Sequence, residues 1–379
     1  MSAILTLNAG SSSIKFAVYL TGDGDPELLY VGQVENIGGA AELKLAGDTP
    51  VSIGAKDHET AVQAILTAVE PLLEGRQVAG VGHRIVHGGP DLGEPARLSP
   101  ETLAMLEKLV PLAPLHQPHN LAAVRAAQVA FPGAVQIGCF DTAFHRGKPF
   151  VNDAYGLPLH FYEQGIRRYG FHGLSYDYIA GELRRTHPEI AKRRVVVAHL
   201  GNGASLCGLL NGKSIATTMG FSALDGLVMG TRPGQLDPGV MLYLMDQGMS
   251  SAELTRLLYH DSGLKGLSGI GNDMRELLAS QSPDASQALE YYVARLRREI
   301  GSMAAALGGI DGLVFSGGVG ENAAEIRARV VEGLGFLGLS LDQTANQQRE
   351  TRIGDGKVDI LVIPTNEELV IARSVADHI

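Results

Sequence analysis

One glycine-rich signature occurs twice in the chain, at Asn8-Ala9-Gly10-Ser11-Ser12-Ser13 and at Gly201-Asn202-Gly203-Ala204-Ser205, each directly after an aliphatic run. Ile4-Leu5-Thr6-Leu7 reads as the strand entering the first copy, and beyond it Ile14, Phe16, Val18 and Leu20 alternate with Lys15, Ala17 and Tyr19, the period of a strand. Val195-Val196-Val197-Ala198 enters the second copy, and Leu206, Gly208, Leu209 and Leu210 lead on to a turn at Asn211-Gly212. Each motif is expected at the tip of a hairpin, and the repeated layout points to a two-lobed protein. A polyphosphate is held best by converging backbone N–H groups, and glycine and small hydroxyl residues let the main chain come close enough. Hydroxyls and one lysine complete such a grip. Ordinary hairpin turns use the same residues, but repetition after matching strands favours a phosphotransfer enzyme.

A chain of 379 residues exceeds one average core and fits two domains, hence a cleft. Its apolar stretches all break well before the ~18 residues a membrane span needs. Met1-Ser2-Ala3 leads straight into a strand with no basic leader, so a soluble, cytoplasmic protein is expected. A formal charge of −10 argues against nucleic-acid binding, which requires a basic face. An anionic ligand must then be held by a local cluster of positive charge. Cys139 and Cys207 lack metal or redox spacing and read as small buried apolar residues.

Along the chain, strands fill residues 1 to 36, with a turn at Gly22 to Asp25. Residues 58 to 74 carry a helical stripe of Ala61, Ile65, Ala68, Val69 and Leu72. Val78 to His87 reads as a strand, Pro100 to Leu109 and His119 to Ala130 as helices, and Ala134 to Asp141 as a strand with Asp141 at its ligand-binding end. The second half repeats the pattern, with strand 195–199, hairpin 206–217, a glycine-rich loop from Thr218 to Gly239, then helices near 240–249, 251–259 and 284–307. Strand Leu313 to Ser316 feeds a turn, Gly317-Gly318-Val319-Gly320-Glu321-Asn322, and a helix at 323–334. Strand Asp359 to Ile363 precedes a final helix with an expected capping box at Thr365 and Glu368 and an apolar face of Leu369, Ala372 and Val375 or Ala376.

These motifs in this order closely resemble the acetate kinase family nearly end to end. The resemblance rests on Asn8 to Lys15, Gly82-His83-Arg84-Ile85-Val86-His87-Gly88-Gly89, Phe140-Asp141-Thr142-Ala143-Phe144-His145 and Tyr169-Gly170-Phe171-His172-Gly173. It continues through His199-Leu200-Gly201-Asn202-Gly203, Met229-Gly230-Thr231-Arg232, Gly317 to Asn322 and Thr365-Asn366-Glu367-Glu368. It implies an α/β fold of two ribonuclease-H-like domains, as in actin, Hsp70 and sugar kinases, with a central cleft. The first domain would comprise 1–142 with 368–379, and the second, nucleotide-binding and dimer-forming, 143–367. It also implies a homodimer that reversibly transfers the γ-phosphoryl of ATP to acetate, giving acetyl phosphate and ADP with Mg²⁺ or Mn²⁺.

By the same resemblance Arg84 and Arg232 are the active-site arginines, one holding the acetate carboxylate and both neutralising phosphoryl oxygens, while His172 stabilises the transition state. Val86, Leu115, His116, Phe171 and Ala223 line the acceptor pocket with Arg84. Asn8, Ser11, Ser13 and Lys15 form the first phosphate loop, and His199, Leu200, Gly201, Asn202 and Gly203 the second. Asp273, Met274, Arg275, Gly318, Val319, Gly320, Glu321 and Asn322 surround the adenosine. Asn8 and Glu367 attend the metal, with Asp141 as a catalytic acidic residue and further metal candidate. Blander readings exist: surface ion pairs for the arginines, core positions for the histidines, a turn or cap for Asp141 and helix-dipole stabilisation for Glu367. His116-Gln117-Pro118-His119 offers no second ligand pair with zinc spacing.

Two further motifs are decoys. Gly208-Leu209-Leu210-Asn211-Gly212-Lys213-Ser214 has three residues between its glycines, where a P-loop needs four, and reads as a hairpin turn. Gly318 to Ala323 fits a dinucleotide fingerprint, yet about sixty residues follow it, too few for that domain. The chain departs from the family where Ser222-Ala223-Leu224-Asp225-Gly226 replaces Thr-Pro-Leu-Glu-Gly, and where Gln235 replaces an acidic residue. The smaller Ala223 side chain is expected to admit propionate beside acetate. Competing readings are a propionate or butyrate kinase, a sugar or polyol kinase with Asp141 as base, and a nucleotide-switched binding protein.

Overall fold

The computed structural model describes residues 2–10 and 12–379; the Ser11 position of the first phosphate loop lies outside them. The chain divides into two units, Met1–Phe144 with Asn366–Ile379, and His145–Thr365.

The first unit is built on an eight-stranded sheet of order β5-β4-β3-β2-β1-β6-β8-β7. Its strands are β1 (Ala3–Ala9), β2 (Ile14–Leu20), β3 (Glu27–Glu35), β4 (Glu42–Leu45), β5 (Val51–Ser52), β6 (Val78–Ile85), β7 (Ala96–Arg97) and β8 (Val135–Phe140). β1 pairs antiparallel with β2 and parallel with β6, and β6 runs parallel to β8. The unbroken aliphatic run of β1 follows from this central place, since both of its faces are covered and nearly every residue is buried. On one face Leu5, Leu7, Phe16 and Val18 pack with Ala61, Val62 and Ile65 of helix His58–Val69 and with Ala123 and Ala127 of helix Gln117–Ala130. The C-terminal helix Glu367–Ala376 covers β1, β6 and β8. It lies so close that a β-carbon on Gly82 of β6 would stand 2.3 Å from Ile371 Cγ2.

The second unit repeats this plan in a five-stranded sheet of order β11-β10-β9-β12-β13. Its strands are β9 (Arg194–Leu200), β10 (Ala204–Leu210), β11 (Lys213–Thr217), β12 (Gly312–Ser316) and β13 (Asp359–Val362). β9 is antiparallel to β10 and parallel to β12, which is parallel to β13. The order and sense of β3-β2-β1-β6-β8 thus recur, and in each unit a glycine-rich motif joins the first antiparallel pair. Helix Pro283–Leu307 packs on β9, β10 and β11 through a face including Leu289, Leu296 and Ile300. Asn211 and Gly212 close the β10–β11 turn with φ of 52° and 70°, so the P-loop decoy is a hairpin turn.

Three local expectations are corrected. Gly317–Asn322 is a short helix rather than a turn, because the strand β12 ends at Ser316 and the chain coils at once. The last helix is capped by Asn366, whose Oδ1 accepts from Leu369 N at 3.0 Å. Thr365 lies one residue too early to cap, and its backbone N–H donates to Glu321 Oε1 at 3.3 Å. The buried face of that helix is Val370, Ile371, Ala372 and Val375: Ala372 and Val375 fall on it as expected, while Val370 and Ile371 replace Leu369 because the helix covers β1, β6 and β8.

Candidate active site

In the first unit the site grows from the C-terminal ends of three adjacent parallel strands. Asn8 is the penultimate residue of β1, Arg84 of β6, and Asp141 follows β8, its N–H bonded to Ile85 O at 3.0 Å. Arg84 donates from Nε to Asp141 Oδ1 at 3.0 Å and from Nη2 to Oδ2 at 2.6 Å, a bidentate pair. Its Nη1 donates to Asn8 Oδ1 at 3.0 Å, and Asn8 Nδ2 donates in turn to Glu367 Oε2 at 3.3 Å. Burial alone would lower the Arg84 pKa, but the charges of Asp141 and Glu367 raise it well above its usual value, so the cation is permanent. Burial raises the Glu367 carboxyl, Arg84 opposes this, and the neighbouring Asp141 and Glu368 charges raise it further.

Three carboxylates therefore crowd a pocket in which Arg84 makes the close ion pairs, while Lys15 lies exposed beside them. The donors are hard oxygens and the local charge is in deficit of cations, which fits Mg²⁺. Among the described residues no group of three or more His, Cys, Asp or Glu forms a ready metal cage. Mg²⁺ characteristically takes one or two carboxylates and completes its shell with water and phosphate.

The first turn of helix Gln117–Ala130 secures this cluster. Asn120, buried, accepts from Val86 N at 3.0 Å and donates to Ala9 O at 2.7 Å, tying the end of β6 to the first phosphate motif. Gln117 brackets the His87 backbone. His58 Nε2 meets Gly10 O at 2.6 Å and its ring stacks on His119 at 4.2 Å. Gly10 N donates to Ser13 O at 2.8 Å, closing the loop. His116 and Leu115, half-buried, stand just before the helix, and Val86 is buried.

In the second unit Arg232 and His172 converge on the other glycine-rich motif. A β-carbon placed on Gly203 would lie 2.8 Å from Arg232 Nη2 and 3.1 Å from His172 Nε2, so both side chains end against the loop backbone and only glycine leaves room for them. Arg232 Nη1 donates to Ala223 O at 2.8 Å, and its own carbonyl accepts from Met229 N at 3.0 Å. Asn202 is fixed by Gly230 N on its carbonyl at 3.0 Å and by Asn272 Nδ2 on its Oδ1 at 2.8 Å. His172 adopts a left-handed backbone, φ 58°, at the head of helix Gly173–Thr186, a strained conformation of the kind found at functional sites. Its Nδ1 meets Ser205 Oγ at 2.8 Å, and its ring stacks on His199 at 4.3 Å. Phe171 is buried, its carbonyl bonded to His145 Nε2 at 2.9 Å.

The expected adenosine residues also lie in this unit. Asp273 caps helix Met274–Ala279 and pairs bidentately with Arg275; its bonds to that side chain and to Arg275 N hold its carboxyl down to about 2. Gly318, Val319, Gly320, Glu321 and Asn322 line up in the short helix after β12, where Arg349 Nη1 donates to Asn322 Oδ1 at 3.0 Å. Met274 and Leu200 are buried. Gln235 Oε1 accepts from Arg295 Nη2 at 2.5 Å, a contact an acidic side chain would also make, and nothing in the structure explains the neutral replacement.

Sequence reasoning missed Ser205, Tyr176, Asn120 and Glu368 as parts of these clusters. Ser205 stands inside the second glycine-rich motif, where hydroxyls are expected on phosphate, yet it turns to His172. The signal for Asn120 is a carboxamide one helical turn after Gln117 on an otherwise apolar face.

The acetokinase family profile matches residues 3–373. Acetate kinase from Methylocella silvestris is 49% identical over 388 residues, covering 98% of this chain and 96% of that protein. Acetate kinase from Rhizobium meliloti is 49% identical over 383 residues, covering 98% and 97%. Porphyromonas gingivalis acetate kinase matches with a TM-score of 0.89 at 37% identity, covering 99% of each chain. A propionate kinase from Francisella tularensis matches with a TM-score of 0.92 at 36% identity, again over 99% of each. The duplicated sheet plan is accordingly the actin/Hsp70-like fold. With a profile match along nearly its whole length and close relatives across the same span, this chain is a member of the acetokinase family.

Proposed function

We propose that the chain is an acetate kinase, an enzyme that reversibly transfers the γ-phosphoryl of ATP to acetate, giving acetyl phosphate and ADP. The observation that carries the reading is an arginine set against each phosphate motif: Arg84 bonded to Asn8, and Arg232 pressed on Gly203. A sugar or polyol kinase acts on a neutral hydroxyl, which has no carboxylate for a guanidinium to grip.

Acetate is ionised at neutral pH, so the nucleophile needs no general base. One carboxylate oxygen attacks the γ-phosphorus as the bond to the β–γ bridging oxygen breaks, and ADP leaves. The obstacle is repulsion between anions, which positioned positive charge and donors overcome. Arg84, its orientation fixed by Asp141 and Asn8, takes the acceptor carboxylate, with Val86, Leu115, His116, Phe171 and Ala223 around the methyl group. Arg232 and His172 donate to the equatorial phosphoryl oxygens. Asn8, Ser11, Ser13 and Lys15, with His199 to Gly203, hold the phosphates. Asp273, Met274, Arg275 and Gly318 to Asn322 take the adenosine. Glu367, Asn8 and Asp141 would hold Mg²⁺, which supplies charge neutralisation on the nucleotide phosphates. Ala223 in place of proline makes room for propionate, in keeping with the propionate kinase among the structural relatives.

The enzyme works in the cytoplasm as a homodimer. No helix among the described residues is long and apolar enough to cross a membrane, and helix Pro238–Asp246 leaves Val240, Leu242, Tyr243 and Met245 exposed as a surface for a second copy. Arg232→Leu tests the chemistry: kcat should fall by about a hundredfold or more while ATP binding, followed by calorimetry, changes little. Wild-type turnover in that variant would refute the assigned role.

A further inference from the structure

We infer that Ser205 and Tyr176 form a positioning pair that sets the tautomer of His172, so that its Nε2 carries the proton and faces the phosphate loop as a hydrogen-bond donor. This rests on the reading that His172 acts at the transferring phosphoryl.

The geometry leaves the ring two distinct edges. Nδ1 lies 2.8 Å from Ser205 Oγ, and the same Oγ lies 2.5 Å from Tyr176 OH. Nε2 lies on the other edge, by Gly203 and the tip of Arg232. Ser205 belongs to the buried strand β10, and Tyr176 stands four residues after His172, one turn into the helix that His172 begins. Both side chains are wholly buried.

Proton counting then decides the tautomer. A buried phenol keeps its proton, because ionisation without solvent is costly, and in the inferred arrangement it donates that proton to Ser205 Oγ, 2.5 Å away. The single hydroxyl proton of Ser205 points to the ring, so Nδ1 accepts. In a neutral imidazole the remaining proton is on Nε2. His199 repeats the device, its Nδ1 held by Ser175 Oγ at 2.8 Å. The functional consequence is direct, since a bare Nε2 lone pair would repel an anionic phosphoryl oxygen, whereas Nε2–H donates to it. The left-handed backbone of His172 holds the ring where both contacts are made at once.

The test is long-range ¹H–¹⁵N correlation spectroscopy on the nucleotide-free, histidine-labelled protein, with the His172 signals assigned through H172N. The expected pattern is an unprotonated, hydrogen-bond-accepting Nδ1 and a protonated Nε2. In S205A the pattern should give way to a mixture of tautomers, and kcat should fall about tenfold to a hundredfold with KM for acetate and ATP kept within about threefold. Y176F, which leaves the strand untouched, should move both readouts the same way by less and serves if S205A does not fold. A proton on Nδ1 in the wild-type protein, or a wild-type pattern in both variants, overturns the inference. The expected pattern lost in S205A, together with unchanged kcat in S205A and H172N, upholds the pairing and overturns the His172 role instead.

Discussion

Replacing Gly203 with alanine should disarm the second unit's part of the site while leaving the fold intact. The added β-carbon would meet Arg232 Nη2 at 2.8 Å and His172 Nε2 at 3.1 Å, where ordinary contact begins near 3.4 Å. The guanidinium must therefore retreat by about 0.6 Å and the imidazole by about 0.3 Å. Both clashing atoms are side-chain ends rather than backbone, so the stability cost should stay within about 1 kcal/mol. Catalysis is less forgiving, because a misplacement of about 1 Å costs on the order of a hundredfold and loss of one preorganised donor about the same or more. We expect kcat to fall by roughly tenfold to a hundredfold with the melting temperature nearly unchanged. Gly301→Ala, in helix Pro283–Leu307, is the control: no atom beyond its own turn of helix lies within 4 Å of its β-carbon, and kcat should stay within about threefold. Steady-state ADP release and thermal denaturation read both quantities. Wild-type kcat in G203A, or an equal loss in G301A, would contradict the convergence of Arg232 and His172 on this loop.

Three further outcomes follow from the first unit and the exposed helix. Asp141→Asn leaves the half-buried Arg84 cation short of its buried bidentate partner and should cost about 2 kcal/mol in urea unfolding; an unchanged midpoint would mean that Glu367 replaces it fully. Burial, with the Asp141 and Glu368 charges, raises the Glu367 pKa above 4.5. As pH falls through that raised value the group gains a proton that Mg²⁺ must displace. The Mg²⁺ requirement should accordingly climb on the acid side in steady-state assays, and E367Q should flatten that dependence; a pH-independent requirement would count against Glu367. For stability the sign is opposite: without metal, the contribution of Glu367 is greatest below its unfolded pKa and is lost as pH rises through the folded one. On the proposed homodimer, Leu242→Glu with Tyr243→Glu should lower the mass read in sedimentation from two copies to one, and an unaltered mass would count against this helix as the interface.

Some elements are legible in the residues alone and others are not. The repeated motif and its flanking strands forecast both hairpins, because glycine and hydroxyl content and the alternation of β2 are local properties. Asp141 at the end of a parallel strand was foreseeable from the same pattern. The helix at Gly317–Asn322 was not, since three glycines in six residues argue against a helix on propensity and tertiary context overrides it. The cap at Asn366 was missed by one residue because Thr365 and Glu368 satisfy the capping pattern equally well in one dimension. The Ser205–His172 contact joins residues 33 apart and the Asn120–Ala9 contact residues 111 apart. Only a fold brings such pairs together, and neither pattern nor spacing hints at the partner.

The central claim is that the acceptor is a carboxylate. The most direct measurement is acyl-phosphate formation, trapped as the hydroxamate, with ATP-Mg²⁺ and a panel of formate, acetate, propionate, butyrate and glycerol. Strong hydroxamate with acetate, appreciable signal with propionate and no glycerol-dependent ADP release is the predicted result. No hydroxamate with any carboxylate, and ADP release that depends on glycerol or on no acceptor at all, would contradict the assignment.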